Sequence, residues 1–301
     1  MNLVVTGGAG FIGSHLVEFL VKQNQTVTVL DNLKNGNIDN LKSVKKEIEH
    51  HNVDILNYDG LQKILSKCDC VFHHAALTSV SDSFDRPKEY HEANVSGTEN
   101  ILKLAKEHGF KVIFASSASV YGNPKKIPIK EDTEKKPLNP YGLSKLNAEE
   151  LCKKYSELGV SVIGLRYFNV YGPRQNRNYA GVITKFIDNA LNSKPLLING
   201  DGSQVRDFVF VNDVANANFL AMKSKTNNAF INIASGVGIS IKELAEMIME
   251  LTDLESGPIY RDPVEGDITA SQANIDLAKE LLDWKPKTML KEWLNESLKK
   301  P

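Results

Sequence analysis

The chain opens on a short apolar run, Leu3-Val4-Val5, whose length and bounds predict a fully buried strand. Glycines follow at positions 7, 8, 10 and 13. Residues 14–21 then carry apolar side chains at helical spacing, and residues 25–30 read as a second strand closed by Asp31. A short third strand ends near Asp54, a helix covers Leu61 and Leu65, and residues 70–76 form a fourth strand that runs into small residues. Residues 87–108 predict one long helix that carries Asn94. Residues 110–115 predict a fifth strand, with Ser116-Ser-Ala-Ser-Val-Tyr-Gly122 at its C-terminal end. After a polar loop of Pro and Lys, Asn139 caps a helix that starts on Pro140 and runs to about residue 158. Residues 160–165 read as the sixth strand. This alternation predicts an α/β fold, a Rossmann-type doubly wound parallel sheet. From about residue 168 elements shorten and loops lengthen. The expected division is therefore 1–167 for the sheet domain and 168–301 for a smaller α/β region over its edge.

Strand, glycine-rich turn and helix are the context that a dinucleotide fingerprint needs. Glycines permit the tight turn and let the backbone approach a pyrophosphate, which sits on the helix N-terminus. The alternative is an ordinary βαβ turn. Asp31, closing the second strand, favours the fingerprint. A carboxylate there accepts from both hydroxyls of an adenosine ribose and repels a 2′-phosphate. The expected cofactor is NAD rather than NADP.

Composition adds exclusions. A formal net charge of −1 over 301 residues gives no field that would draw nucleic acid. No apolar run is long enough to span a bilayer, and a strand beginning at residue 2 predicts no secretory leader. Cysteines only at 68, 70 and 152 predict a reducing compartment, the cytoplasm. Cys68 and Cys70 have no second pair to complete a zinc site. His73 and His74 are neighbours on a strand and point to opposite faces, so no metal site is expected. The chain has 30 Lys and 6 Arg, so each Arg is informative for its planar fork.

Tyr141 and Lys145 stand four apart on a helix, hence on one face. A cation beside a phenol favours the phenolate, as would the positive ring of bound NAD. Tyr141 is thus a candidate general base for a sugar hydroxyl, and Lys145 a candidate partner and ribose ligand. An exposed Tyr–Lys pair is the plainer alternative. Ser117 is the best hydroxyl partner, with Ser116 and Ser119 as competitors in the same turn. Arg206 and Arg261 suit a diphosphate by charge-assisted forks, with Asn169 nearby after strand six. The plainer reading pairs each arginine with its neighbour, Asp207 or Asp262.

These motifs resemble, over nearly the full length, the extended short-chain dehydrogenases that act on nucleotide sugars. The signatures are Thr6-Gly-Gly-Ala-Gly-Phe-Ile-Gly13, Ser116-Ser-Ala-Ser-Val-Tyr-Gly122, Tyr141-x-x-x-Lys145, Arg166-Tyr-Phe-Asn-Val-Tyr-Gly-Pro173 and Arg206-Asp-Phe-Val-Phe-Val211. Within that family the chain is most similar to UDP-galactose and UDP-N-acetylglucosamine 4-epimerases. The resemblance implies a catalytic set of Ser117, Tyr141 and Lys145. It implies NAD contacts from Gly7, Gly10, Phe11, Ile12 and Gly13 in the first turn, and from Asp31, Asn32, Asn35 and Gly36 after strand two. Asp54, Ile55, Ala75, Ala76, Asn94, Tyr141, Lys145 and Tyr167 complete that set. Ser117, Tyr141, Asn169, Asn199, Arg206, Asp267 and Ser271 would bind a UDP-sugar. Residues 1–167 would then bind NAD and 168–301 the nucleotide sugar, and helices 87–108 and 141–158 would pair in a homodimer.

Two departures bear on chemistry. Similar epimerases place a phosphate-binding Arg where this chain has Val264, so either Arg261 substitutes from three residues upstream or the substrate is held more weakly. Similar dehydratases place Asp-Glu after the catalytic hydroxyl, and similar decarboxylases a Glu at the second of those positions. Here the two positions are Ala118 and Ser119. The resemblance therefore implies 4-epimerisation through a 4-keto sugar. The alternatives are another nucleotide-sugar oxidoreductase, either a reductase or a dehydratase, and a non-catalytic NAD-binding protein. A reductase consuming NADPH is opposed by Asp31. A non-catalytic protein need not keep Ser117, Tyr141 and Lys145 together.

Overall fold

The computed structural model describes residues 1–175, 181–264 and 267–298. The first half alternates as its pattern requires. Strands β1 (Asn2–Thr6), β2 (Thr26–Leu30), β3 (Ile48–His51), β4 (Cys70–His73), β5 (Lys111–Ser117) and β6 (Val162–Tyr167) enter one parallel sheet. Between them run helices α1 (Phe11–Lys22), α2 (Tyr58–Leu65), α3 (Val80–Asp85), α4 (Pro87–His91), α5 (Gly97–His108) and α6 (Pro140–Glu157). The second half begins with β7 (Asn169–Tyr171), α7 (Val182–Leu191), β8 (Leu197–Asn199), β9 (Val205–Phe210) and α8 (Val211–Lys223). Then come β10 (Ala229–Ile233), β11 (Gly238–Ser240), α9 (Ile241–Thr252), β12 (Ile259–Arg261), β13 (Ala270–Ser271), α10 (Asp276–Leu282) and α11 (Leu290–Leu298).

The strand order in the large sheet is β3-β2-β1-β4-β5-β6-β10, and every pairing is parallel. Central strands of such a sheet are covered on both faces. All residues of β4 and β6 are accordingly buried. On one face Leu16, Val17 and Leu20 of α1 pack with Val214 and Ala217 of α8 and with Trp284. On the other, Leu61 of α2, Ile101 and Leu104 of α5 and Ala148 of α6 close the second layer. The order reverses between β1 and β4. That switch point opens a crevice at the C-terminal ends of the strands.

Two features differ from the sequence expectation. The helix over 87–108 is not uniform. Residues Glu92–Ser96 form a π-type turn between α4 and α5, the kind of bulge that re-aims side chains at functional positions. The expected cut at 167/168 also does not separate layers. The chain leaves the sheet after β6, then returns with α8 on one face and β10 paired along β6. Short elements in the second half hid this, because β10 is followed directly by β11, as a strand of the small region would be. The smaller region centres on β9. This strand takes β11 antiparallel on one edge, and β13 and β7 parallel on the other. Its core includes Phe186, Ile198, Phe208, Leu244 and Leu294. Among the described residues no helix is long and apolar enough to cross a membrane.

Candidate active site

The first turn after β1 is built for close approach. Gly7 has φ +68°, and a Cβ on it would lie 2.7 Å from the Ala75 amide nitrogen. A Cβ on Gly13 would lie 2.1 Å from the Gly7 carbonyl oxygen. Only glycines let α1 start this near the ends of β1 and β4. The first amides of α1 lack intrahelical acceptors, so the helix start offers N–H groups and a positive dipole end to an anion. This turn forms one wall of a cleft of about 610 Å³.

Asp31 is 7% exposed at the end of β2. Its two oxygens accept from the amides of Ala9 (2.9 Å) and Leu33 (2.8 Å). An ionised carboxylate has about four lone-pair sites. The two amides fix its orientation and leave capacity for a diol in the cleft. Gly36 lies against it. A Cβ there would sit 2.8 Å from Oδ1 and fill the space beside the carboxylate. Glycine turn, open carboxylate and cleft fit a dinucleotide with an unphosphorylated adenosine ribose. Asp31→Ser is therefore expected to lose about tenfold or more in NAD affinity, since a hydrogen bond to a charged group contributes about 1.5–3 kcal/mol. It should also narrow the gap between NAD and NADP. Calorimetric titration with both cofactors reads the two effects, and an unchanged NAD/NADP ratio would remove Asp31 from this role.

Every residue expected at the cofactor lines this cleft except Asn94. Asn94 is 1% exposed, and both its amide protons are engaged. It accepts from the Leu77 amide and donates to the Leu77 carbonyl and to Ser144 Oγ. The π-type turn thus aims Asn94 at the segment after β4 and at α6, behind the cleft wall.

The candidate catalytic residues converge at the far end. Asn139 Oδ1 accepts from the Gly142 amide at 2.8 Å, and Pro140 fills the first helical position. This cap fixes the start of α6, which puts Tyr141 and Lys145 on the cleft wall opposite the end of β5. Ser117 lies within hydrogen-bonding reach of the Tyr141 hydroxyl. Strand alternation places Ser116 on the opposite face from Ser117. Ser116 points to the other face and donates to Glu149 Oε1 at 2.6 Å, while Ser119 contacts Ser117 through both its amide and its hydroxyl.

Burial pushes the Tyr141 hydroxyl above its ordinary value, and the Ser117 contact draws it back only in part. The Lys145 ammonium donates to the Ala115 carbonyl at 2.9 Å, and burial pulls its own pKa down to about 8. Lysine and tyrosine share a helix face, and this bond holds the ammonium at the end of β5.

The residues expected at the substrate are spread over a second surface. Asn169 lines a smaller cavity of about 210 Å³ that shares Val170 and Gln175 with the main cleft. Asn199 ends β8 opposite Arg261 of β12, and both are exposed. Arg206 engages Asp267, by a 2.6 Å bond to Oδ1, together with the carbonyls of Val205 and Ile268. The pairing foreseen with Asp207 does not occur. Asp207 faces the opposite side of β9 and accepts from Ser235, Gly236 and Ala273. Ser271 is 7% exposed and pairs in register with Arg206. It does not start a helix, since α10 begins only at Asp276.

Sequence reasoning passed over His74 and Gln175. His74 lines the cleft, stacks on Tyr167 at 5.9 Å and contacts Asn218. Burial holds it neutral, with a pKa near 4. Its neighbour His73 faces the other way, between Thr6 and Thr98. The signal for His74 was its place just past the C-terminal end of β4, the edge where ligands bind.

With this geometry in hand, comparison with known proteins is specific. The model of the NAD dependent epimerase/dehydratase family matches residues 3–234. A putative UDP-glucose 4-epimerase of Methanocaldococcus jannaschii is 43% identical over 295 residues, covering 96% of this chain and 95% of that protein. The UDP-N-acetyl-alpha-D-glucosaminuronate decarboxylase of Bacillus cytotoxicus is 37% identical over 309 residues, covering 98% and 96%. Among solved structures, the UDP-N-acetylglucosamine 4-epimerase from Methanobrevibacter ruminantium, in complex with UDP-N-acetylmuramic acid, aligns with a TM-score of 0.94. It is 39% identical, and the alignment covers 99% of this chain and 97% of that one. The family model spans most of the chain and these relatives match it over nearly its whole length: the chain belongs to the NAD dependent epimerase/dehydratase family.

Proposed function

We propose that this chain is an NAD-dependent 4-epimerase of UDP-sugars, acting on UDP-GlcNAc and UDP-GalNAc, with UDP-Glc and UDP-Gal as further candidate substrates. The observation that carries the reading is the Ser117–Tyr141 hydroxyl pair at the end of β5, with Ala118 and Ser119 beside it instead of carboxylates. Acidic residues of the cleft wall are Asp31, Asp54, Glu89 and Glu92, all from segments after β2, after β3 and around α4. Elimination of water or loss of CO₂ would call for an acid at the reacting carbon, and none of these stands at the β5 end. This favours epimerisation over the chemistry of the decarboxylase relative.

NAD, held on the glycine turn and Asp31, would supply a hydride acceptor and donor at the sugar C4. The chain's own residues do the rest. Tyr141 takes the proton from the sugar 4-hydroxyl and gives it back after the keto sugar has turned over. Ser117 holds that oxygen and keeps the Tyr141 hydroxyl oriented. Lys145, fixed on Ala115, places a positive charge at this end of the cleft below a pH of about 8. Residues 1–167 supply most of the cofactor contacts in this reading, and residues 168–301 hold the nucleotide sugar. Arg261, on exposed β12 beside Asn199, is the candidate replacement for the phosphate ligand absent at Val264. We place the protein in the cytoplasm on its three free cysteines, two of them buried. We place it in a homodimer through α4–α5 and α6, which light scattering would test.

Purified protein incubated separately with UDP-GlcNAc and UDP-Glc, with and without added NAD, should give the C4 epimer of at least the first. Release of CO₂ from a UDP-uronic acid, without epimerisation of either hexose, would overturn the assignment. The sugar preference rests on Ser271, a small residue in register with Arg206. Ser271→Tyr is expected to reduce kcat/KM for UDP-GlcNAc about tenfold or more beyond its effect on UDP-Glc, because overpacking penalises the bulkier substrate. Equal losses on both substrates would remove Ser271 as the discriminating position.

A further inference from the structure

One helix serves both sides of the site. The first turn of α1 belongs to the cofactor cradle. His15 and Glu18, further along the same helix, reach the loop that follows β7. There Arg174 makes a set of bonds that fixes its whole side chain. NH2 donates to Glu18 Oε2 at 2.7 Å, NH1 to the Asn40 carbonyl at 2.7 Å, and Nε to His15 Nε2 at 3.2 Å. Burial keeps the pKa of His15 below its ordinary value, and its Nε2, beside Arg174 Nε, also lies 3.0 Å from the Pro173 carbonyl in the same loop. His15 Nδ1 lies 3.0 Å from Asn212 Oδ1 on α8, and Ser43 binds Glu18 from the far side. Arg174 itself has φ +68°, a backbone conformation that non-glycine residues adopt only when their surroundings hold them there.

The next residue is Gln175. With Val170 it lines both the 610 Å³ cleft and the 210 Å³ cavity. Its Oε1 accepts from Thr184 on α7 at 2.7 Å. The wall between the two cavities is therefore anchored on one side to α7 and on the other, through Arg174, to the helix that carries the cofactor cradle.

We infer that Arg174 is a positioning residue that registers the shared cavity wall against α1, and so sets where a sugar stands relative to the dinucleotide. Its kinetic consequence rests on the epimerase reading above. A guanidinium satisfies three acceptors in one plane, which a lysine ammonium on a flexible stem does not. Loss of the anchor lets the wall drift, and a misplacement of about 1 Å costs on the order of 100-fold in rate.

Arg174→Ala is expected to lower kcat/KM for UDP-GlcNAc by about 100-fold while NAD affinity, by calorimetry, stays within about threefold. Arg174→Lys should fall between this variant and wild type. In a Glu18→Ala background the effect of Arg174→Ala should shrink, because the two residues act as one unit. Unchanged kcat/KM in a folded variant overturns the inference. So does a loss matched by an equal loss of NAD affinity, or strictly additive losses. If the wild-type protein turns over no UDP-sugar, the epimerase reading fails by itself. The inference is then read from calorimetric binding of UDP-GlcNAc to the NAD-loaded protein. Binding about tenfold weaker in Arg174→Ala supports it, and equal binding overturns it.

Discussion

Tyr141→Phe is expected to leave a folded, NAD-binding protein whose turnover of UDP-sugars falls about 10³-fold, within the range that a positioned acid–base group contributes. The substitution keeps the ring that packs edge-on against Tyr90 and removes only the oxygen that Ser117 holds. It should therefore lower kcat with little change in KM, the signature of an interaction made in the chemical step. The pH profile gives a second readout. Burial holds the Tyr141 hydroxyl above its ordinary value, so its base form grows as pH rises. The wild-type rate should carry that rising limb and the variant should lose it. A variant with near-normal kcat would take Tyr141 out of the mechanism.

The largest expected loss of stability comes from Arg166. Its side chain is 2% exposed and that of Glu149 is fully buried. Arg166 Nε and NH2 form a two-bond fork to Glu149 at 2.9 and 2.7 Å. NH1 donates to the Tyr121 hydroxyl and to the Glu131 carbonyl, and the Tyr121 hydroxyl donates on to Asn232 of β10. Arg166→Ala strands a buried carboxylate and should cost about 3–5 kcal/mol of unfolding free energy. Replacing both partners with apolar residues of similar volume should recover most of it, since a paired charge has already lost its hydration. Denaturant midpoints of the single and double variants test this. A single variant within about 1 kcal/mol of wild type would mean that water or a rearranged partner reaches Glu149.

The parallel sheet and its cofactor edge were legible because local signals and tertiary demand agree there. Apolar runs became central strands, glycines marked the turn where backbone must approach backbone, and Asp31 stood at the strand end. The Ser117–Tyr141 pair followed from the same edge rule. What stayed hidden depends on contacts distant in sequence. The direction of the Lys145 ammonium is set by the Ala115 carbonyl, 30 residues away. The partner of Arg206 is Asp267, 61 residues on, rather than the adjacent aspartate. The contacts of Asn94 with Leu77 and with Ser144, 50 residues on, follow from a π-type turn that the sequence pattern did not show. The return of the chain to the sheet was hidden because β10 carries no mark that separates an edge strand of the large sheet from a strand of the small region.

That return has a consequence for how the protein comes into being. During synthesis, β6 emerges more than 60 residues before the strand that covers its open edge. Until residues 229–233 appear, an unpaired parallel edge faces solvent, and the face of the sheet under α8 has no cover. Exposed edges of this kind recruit other chains. A fragment ending at residue 167 would hold every residue expected at the cofactor yet lack the cover of α8 and β10. A nascent chain halted there would present that open edge and uncovered face to other chains.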